Sequence, residues 1–560
     1  MTRLRILIGS LLLLALFSDA TASATELHEK IDQRIRQSHP QFLAHQAALS
    51  TDTEFLRRIY LDLTGRIPTA GETLQFLQQA DTDKRVQLID HLVEQPEHAR
   101  HLQHFFDVML MERLPNKHVT LEQWQTYLYD SCRDNVSWEQ MTWDILSADG
   151  AQPATRSAAR FLLGREVKPE LVARAIGRVF LGRDLQCAQC HDHPVIDDYP
   201  QRHYYGLVSF FSRAYLFNDP KSKQTSIGEK AEGTTKFTSV FTNEEATTFP
   251  RVLDLPAFTD PMPDKEPYVT KPDKNARGVP KYSRLEHLPG AITHTDNQAF
   301  RLNIANRLWH FMMGRGFVEP LDMFHADNPP SHPELLQLIA DDLHDHRYDV
   351  RYLLRQLART EVYQRSSILK TEDESVKLRY TAAHIKPLTA EQLAWSTMLA
   401  TGLVNTTRQA TVQAFLASKP GDDKATATAP MDWESLQLHL ETELNKALQS
   451  QVTQFTTAFS RTDGPGVFNA TANQALFLAN SPLISTWLQS SGDNLVARLV
   501  AQPDSAKLAA ELYLSVLSRL PDATETARIA KFVDAFPERT TTIQELVRAL
   551  LCSAEFRFNH

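Results

Sequence analysis

Apolar positions recur at helical spacing through both ends of the chain. Leu74 and Leu77 follow Thr69-Ala70-Gly71-Glu72, and Val86, Ile89, Leu92 and Val93 form a second stripe from Lys84. Recurrence at three and four residues places one helix face against a core. Thr69 and Glu72 stand where each side chain satisfies an amide left open in the first helical turn, so a capped helix is predicted to start at Thr69. Ser331-His332-Pro333-Glu334 repeats the device ahead of Leu335, Leu336, Ile339 and Leu343, and Leu353, Leu354 and Leu357 continue into the next helix. From about Ala214 to Pro289 the pattern changes to prolines, glycines and Thr/Ser/Val/Phe alternation. There Phe237-Thr238-Ser239-Val240-Phe241 reads as a strand, preceded by a turn at Ala231-Glu232-Gly233. The expected fold is mainly α, with multi-helical N- and C-terminal domains at 25–213 and 291–560 and a small β-containing insert or linker at 214–290.

One internal echo stands out. Tyr60-Leu61, Arg66-Ile67-Pro68-Thr69 and Glu72 match Tyr513-Leu514, Arg519-Leu520-Pro521-Asp522 and Glu525 at a constant offset. Both places read as helix, tight turn at proline and capped helix, which either duplication or convergence on a good corner explains.

The 560 residues, 42% apolar and 23% charged, have ordinary globular composition and can bury a large core. A net charge of -9, with no basic block and no phosphate-cradling glycine loop, argues against nucleic-acid binding and nucleotide chemistry. Arg3 and Arg5 before the apolar run Ile6 to Phe17, then Ala22-Ser23-Ala24, read as an export signal at 1–24 with Thr25 opening the mature chain. No later run has the roughly 18 uninterrupted apolar residues of a membrane span, so a soluble periplasmic or envelope-associated protein is expected. Four cysteines in this length are no disulfide framework, and Cys132 and Cys552 read as buried thiols.

The strongest chemical signal is Cys187-Ala188-Gln189-Cys190-His191. Two thiols three positions apart can form thioethers to the two vinyl groups of a porphyrin, and the adjoining imidazole then lies beneath the iron as proximal ligand. With 4 Cys and 21 His in the chain, such a run is expected by chance about once in a thousand sequences. Other chemistries use the same residues. Cys-x-x-Cys is a half-site for zinc or another transition metal, with His191 and His193 as nitrogen donors. A disulfide between Cys187 and Cys190, or an inert turn at His193-Pro194, is the structural alternative.

If haem is bound, Met262, His203, His294 and His310 are conceivable sixth ligands, though each reads more simply as packing or surface. His91, His98 and His101 share a helical face suited to a metal, and a solvated polar face is the expected reading. Asp197 and Asp198 read as capping or solvation rather than an acid–base pair. Cys187 lacks the separate His and Asn context of a nucleophile.

Phe55-Leu56-Arg57-Arg58-Ile59-Tyr60-Leu61-Asp62-Leu63-Thr64-Gly65-Arg66-Ile67-Pro68, followed by Cys187 to Pro194, resembles the cytochrome-like domain of large exported planctomycete proteins. Asn306-Arg307-Leu308-Trp309, Gly314 to Val318, Asn473-Gln474-Ala475-Leu476 and Ser553-Ala554-Glu555-Phe556 resemble the partner domain of unknown function that usually follows it. Arg307, Trp309, Arg315 and Glu319 match marked positions of that partner and are expected to brace helices. Motif and compartment together favour a haem c protein with an electron-transfer or redox role, anchored through Cys187, Cys190 and His191. Its partner would be an envelope redox protein. The alternative is a non-catalytic envelope scaffold that recognises a partner or polymer, its Cys/His motif holding a metal or a disulfide.

Overall fold

The computed structural model describes residues 25–193, 195–238, 240, 243, 245–262, 264–369, 379–418, 433–459 and 471–560. Residues 1–24, read from the sequence as an export signal, and Pro194 lie outside them. Helices account for 58% of the described residues and the sheets among them are small two-stranded ribbons, so the fold is mainly α as the periodicity predicts.

The Thr69 cap forms as expected. Its hydroxyl accepts from Glu72 N–H, Glu72 accepts from Thr69 N–H, and the helix Ala70–Gln78 follows. The second capping box does not form. The N-cap of the helix Pro333–Asp345 is His332 and not Ser331, so Ser331 and Glu334 are out of register for the reciprocal pair, and the His332 side chain makes no cap bond; Pro333 takes the first helical position, where its missing N–H costs nothing. Strand Thr235–Thr238 pairs antiparallel with Glu245–Thr248, while Ser239 and Phe241 of the predicted strand lie outside the described residues. Ala214–Asn218 pairs with Thr225–Glu229, and Tyr215 faces Gly228, where an added Cβ would come within 2.6 Å of the tyrosine ring.

Two apolar cores form. The larger runs from Leu27 to Tyr380 and joins the N-terminal helices to Gln298–Met313, Pro333–Asp345 and Val350–Arg359 across the insert. The smaller is built from residues after 392 together with Leu61 and Ile67. The helix Asp52–Thr64 therefore feeds both cores, and its charged side chains fasten them. Buried Arg57 donates to the carbonyls of Val516, Glu555 and Phe556, and buried Arg58 to those of Tyr363 and Arg365. Asp62 accepts from Lys386 at 2.6 Å, Asn559 at 2.8 Å and Tyr363 at 2.9 Å.

The sequence echo is a repeated structural unit. Helix Asp52–Thr64 ends at left-handed Gly65 and leads through Pro68 into Ala70–Gln78; helix Ser505–Leu517 ends at left-handed Ser518 and leads through Pro521 into Ala523–Ala535. Arg66 grips Glu72 with two bonds of 2.9 Å and lies 5.2 Å from the Tyr60 ring centroid. Arg519 grips Glu525 at 2.7 and 2.8 Å and lies 5.1 Å from that of Tyr513. Each guanidinium also reaches a second glutamate in the first turn of a later helix, Glu97 for Arg66 and Glu555 for Arg519. The units touch where Ser505–Leu517 packs on Ala70–Gln78.

The histidine stripe is corrected. His91 is exposed, but His98 and His101 are buried in the helix Pro96–Met111, with His104 one turn further on. Burial holds the His98 and His104 imidazoles down to about 4. His98 Nδ1 meets the Leu63 carbonyl at 2.7 Å, which places this face against the core and not toward water.

Candidate functional site

The segment that carries the cysteines hangs from the end of the helix Pro169–Leu181. That helix stops at left-handed Gly182, and the chain is then tied down by Asp184 N–H to the Asp322 carbonyl at 2.8 Å. Asp184 Oδ1 caps the Gln186 N–H at 3.1 Å and opens the 3-10 turn Gln186–Gln189. With three residues per turn, positions three apart eclipse. Leu185 and Ala188, both 0% exposed, face the core, while Cys187 and Cys190 are exposed. The spacing thus presents two thiols on the open side of a turn whose other side is pegged. Neither is bridged.

The following helix, Gln201–Phe211, holds the far end of the motif. Its first amide, Gln201 N–H, donates to Asp192 Oδ1 at 2.6 Å, and the Tyr205 hydroxyl donates to the Gln189 carbonyl at 3.0 Å. Val240 N–H donates to the Cys190 carbonyl at 3.2 Å, so the β insert reaches the motif directly. Phe237 stacks on Tyr205 with centroids 4.7 Å apart and ring planes 9° from parallel. Val195 and Val240 are 73% and 58% exposed. The thiols therefore sit beside an apolar, partly aromatic surface.

The two histidines have different proton assignments, read from their partners. His191 Nδ1 contacts the Asp192 carbonyl, an acceptor only, so it carries the hydrogen and the lone pair lies on Nε2. His193 Nδ1 accepts from Val195 N–H at 3.3 Å and Ile196 N–H at 3.0 Å, so its Nδ1 lone pair is used and the neutral ring carries its hydrogen on Nε2. Burial, then the neighbouring His325 and His191, lower the His193 imidazole below its ordinary value. The Tyr199 ring stands edge-on between His193 and His325, 5.9 Å from each. His325 was not singled out in the sequence, where a histidine in a polar loop carries no spacing signal.

The other candidates are placed elsewhere or engaged. Met262 is 89% exposed. His203 Nε2 bonds Asp254 at 2.9 Å, His310 Nδ1 bonds Glu319 at 2.7 Å, and His294 Nδ1 accepts from Asp296 N–H at 3.2 Å. Asp198 accepts from Ala326 N–H at 2.6 Å and Asp197 is exposed. Arg307 braces helices through Asn303 and the Arg178 carbonyl rather than through Glu319. Buried Trp309 stacks on Phe317 with centroids 4.4 Å apart. Cys132 is buried and Cys552 half-buried, both free. Among the described residues no three His, Cys, Asp or Glu side chains are grouped to hold a metal ion, and no helix is long and apolar enough to cross a membrane.

Residues 30–215 match the family PSCyt2, protein of unknown function (DUF1549), and residues 284–533 match PSD1, protein of unknown function (DUF1553). The chain carries these two domains in that order. The first match ends just beyond the helix Gln201–Phe211, and the second begins at Arg284, whose buried N–H donates to the Glu229 carboxylate of the β segment at 2.8 Å. No curated protein and no solved structure matches the chain significantly.

Proposed function

We propose that this chain is an exported c-type haem protein with an electron-transfer or redox role in the cell envelope. The observation that carries the reading is the pairing of two exposed thiols on one side of a pegged 3-10 turn with an adjacent imidazole whose lone pair lies on Nε2. Cys187 and Cys190 would hold the haem by thioethers, sulfur adding to one vinyl carbon and hydrogen to the next, which would consume no oxidant. His191 would supply a nitrogen to the iron, and its Nδ1–H bond to the Asp192 carbonyl orients the ring and raises its basicity. Haem, when bound, supplies one-electron chemistry at iron. Tyr205, Phe237 and Val240 offer an apolar surface beside the thiols that would shield the group from water, and Gln201 and Tyr205 hold the motif backbone.

A four-donor metal site completed by His193 finds less support, because its Nδ1 lone pair is committed to two backbone amides. The test is expression of the full chain with cytochrome c maturation machinery. Red protein with a Soret band and haem that stays on the chain in a denaturing gel is expected, and Cys187→Ser with Cys190→Ser is expected to abolish retention. Colourless protein that binds zinc stoichiometrically would overturn the proposal. Cell fractionation, with the product expected in the periplasmic fraction, tests export.

A further inference from the structure

The short ribbon that ties Lys386–Pro387 to Phe558–Asn559 brings an amine and an amide onto one carboxylate. The strands run antiparallel with Lys386 directly opposite Asn559, and the Leu388 N–H donates to the Arg557 carbonyl at 3.0 Å. Opposite residues on such a ribbon share a face and are close neighbours. Both side chains here meet Asp62 Oδ1, Lys386 Nζ at 2.6 Å and Asn559 Nδ2 at 2.8 Å, while Asp62 Oδ2 accepts from the Tyr363 hydroxyl at 2.9 Å. Asp62 and Asn559 are each 2% exposed.

Two details set this cluster apart from an ordinary buried ion pair. Lys386 Nζ also donates to the carbonyls of Phe311 and Met312, at 3.2 and 2.8 Å. When the proton facing Asp62 passes to that carboxylate, these carbonyls hold the two N–H bonds that remain, and the lone pair is left on the side where Asn559 meets Asp62. Burial favours the transfer because it penalises the ammonium and the carboxylate together, and an amine relieved of its proton is a nucleophile. Asn559 Oδ1 is buried and has no hydrogen-bond partner among the described residues. The amide carbonyl is thus an unsatisfied acceptor beside an acid that can carry a proton.

We infer that Lys386 and Asn559 join in an intramolecular isopeptide bond, with Asp62 as the proton carrier. Nζ gives one proton to Asp62, and its lone pair forms the bond to Asn559 Cγ. Asp62 hands that proton to Nδ2 and takes the second from Nζ, and the Cγ–Nδ2 bond breaks with its electron pair leaving on ammonia. The products are the Nζ–Cγ amide, neutral Asp62 and free ammonia, and nothing is oxidised or reduced. Neutral Asp62 then has an O–H to offer Oδ1, the acceptor left without a partner before the reaction. Burial of the three groups in one cluster supplies the proximity that free side chains lack.

The bond is independent of haem and is tested on the full chain, unfolded, digested with trypsin and read by tandem mass spectrometry. The peptide that carries Lys386 is expected to be joined to the one that carries Asn559, lighter than the two together by one ammonia. Asn559→Ala removes the electrophile and keeps the Asp62–Lys386 pair, and Asp62→Asn keeps the shape but cannot carry the proton; each is expected to leave the peptides separate. The digest of the unsubstituted chain decides the matter even where a variant fails to fold. Separate peptides in that digest, a link from Lys386 to Asp62 lighter by one water, or a Lys386–Asn559 link that persists in Asp62→Asn would overturn the proposal.

Discussion

The Asp62 carboxylate lies 2.6 Å from the Lys386 ammonium, joining residues 324 positions apart inside the protein. Burial alone pushes Asp62 up and Lys386 down, and each is held charged by the other. Removing one partner leaves a stranded charge, whereas removing both does not. Lys386→Met is expected to cost about 3–5 kcal/mol in urea unfolding, and Asp62→Asn with Lys386→Met markedly less than the sum of the single changes. Additive losses would show that the two groups act separately.

Acid sensitivity is expected to begin well above carboxylate titration. Buried His98 and His104 titrate near 4 in the folded chain and near 6.5 when unfolded. Folded values below unfolded ones mean that the unfolded chain takes up protons first, so their contribution is intact above about pH 6.5 and is lost as pH falls toward 4. Each site contributes at most about 3 kcal/mol of this loss. His104→Gln is expected to flatten the stability slope in that window by up to about 1.4 kcal/mol per pH unit. An unchanged slope would place His104 in water.

The repeated arginine grips predict a second, lower window. Glu72 is held down to about 2 because Arg66 outweighs its burial, and Glu525 is held down to about 2 chiefly by its bonds to Arg519. Folded values below unfolded ones give stability that is present above about pH 4.5 and lost toward pH 2. Arg519→Gln is expected to destabilise by roughly 1–3 kcal/mol at pH 7, allowing for partial exposure, and the deficit should shrink as pH falls through that window. A deficit independent of pH would assign the arginine a packing role only.

Gly65 and Ser518 occupy the same left-handed position of the two units, with φ of 70° and 61°. An added Cβ at Gly65 would come within 2.6 Å of His101 Nδ1. Gly65→Ala is therefore expected to destabilise by more than about 1 kcal/mol, while Ser518→Gly relieves left-handed strain but loses the hydroxyl that accepts from Arg57 and is expected to cost less than Gly65→Ala. A larger fall in melting temperature for Ser518→Gly would contradict the equivalence.

At the cysteine turn the two histidines are expected to behave differently. His191→Ala should alter the Soret and visible bands of loaded protein, whereas His193→Ala should leave covalent attachment and those bands in place. Its effect is expected in faster amide exchange at Val195 and Ile196, which lose an acceptor worth about 1 kcal/mol. A spectrum changed by His193→Ala and insensitive to His191→Ala would reverse the roles.

The sequence made the helical class, the Thr69 cap and the paired thiols readable because each depends on neighbours within one or two turns. Burial of Arg57, Arg58, Asp62, His98 and His101 was not readable, since polar residues at helical spacing look solvated until distant carbonyls and carboxylates come to meet them. The Arg66–Glu72 grip and its twin at Arg519 were visible as an echo of letters, but their shared geometry emerged only when the tyrosine rings and second glutamates fell into equivalent places. His193 looked like a donor to a metal by its spacing. Its local amides, supplied by the turn through residues 195 and 196, decide which nitrogen has electrons to give.

The Asp52–Thr64 helix leaves a ribosome almost 500 residues before the carbonyl of Phe556 and the amide of Asn559 that complete its buried bonds. Until those arrive, a guanidinium and a carboxylate wait in a half-built interior. Those bonds can therefore close only after residues 556–559 have been made, long after the helix they secure.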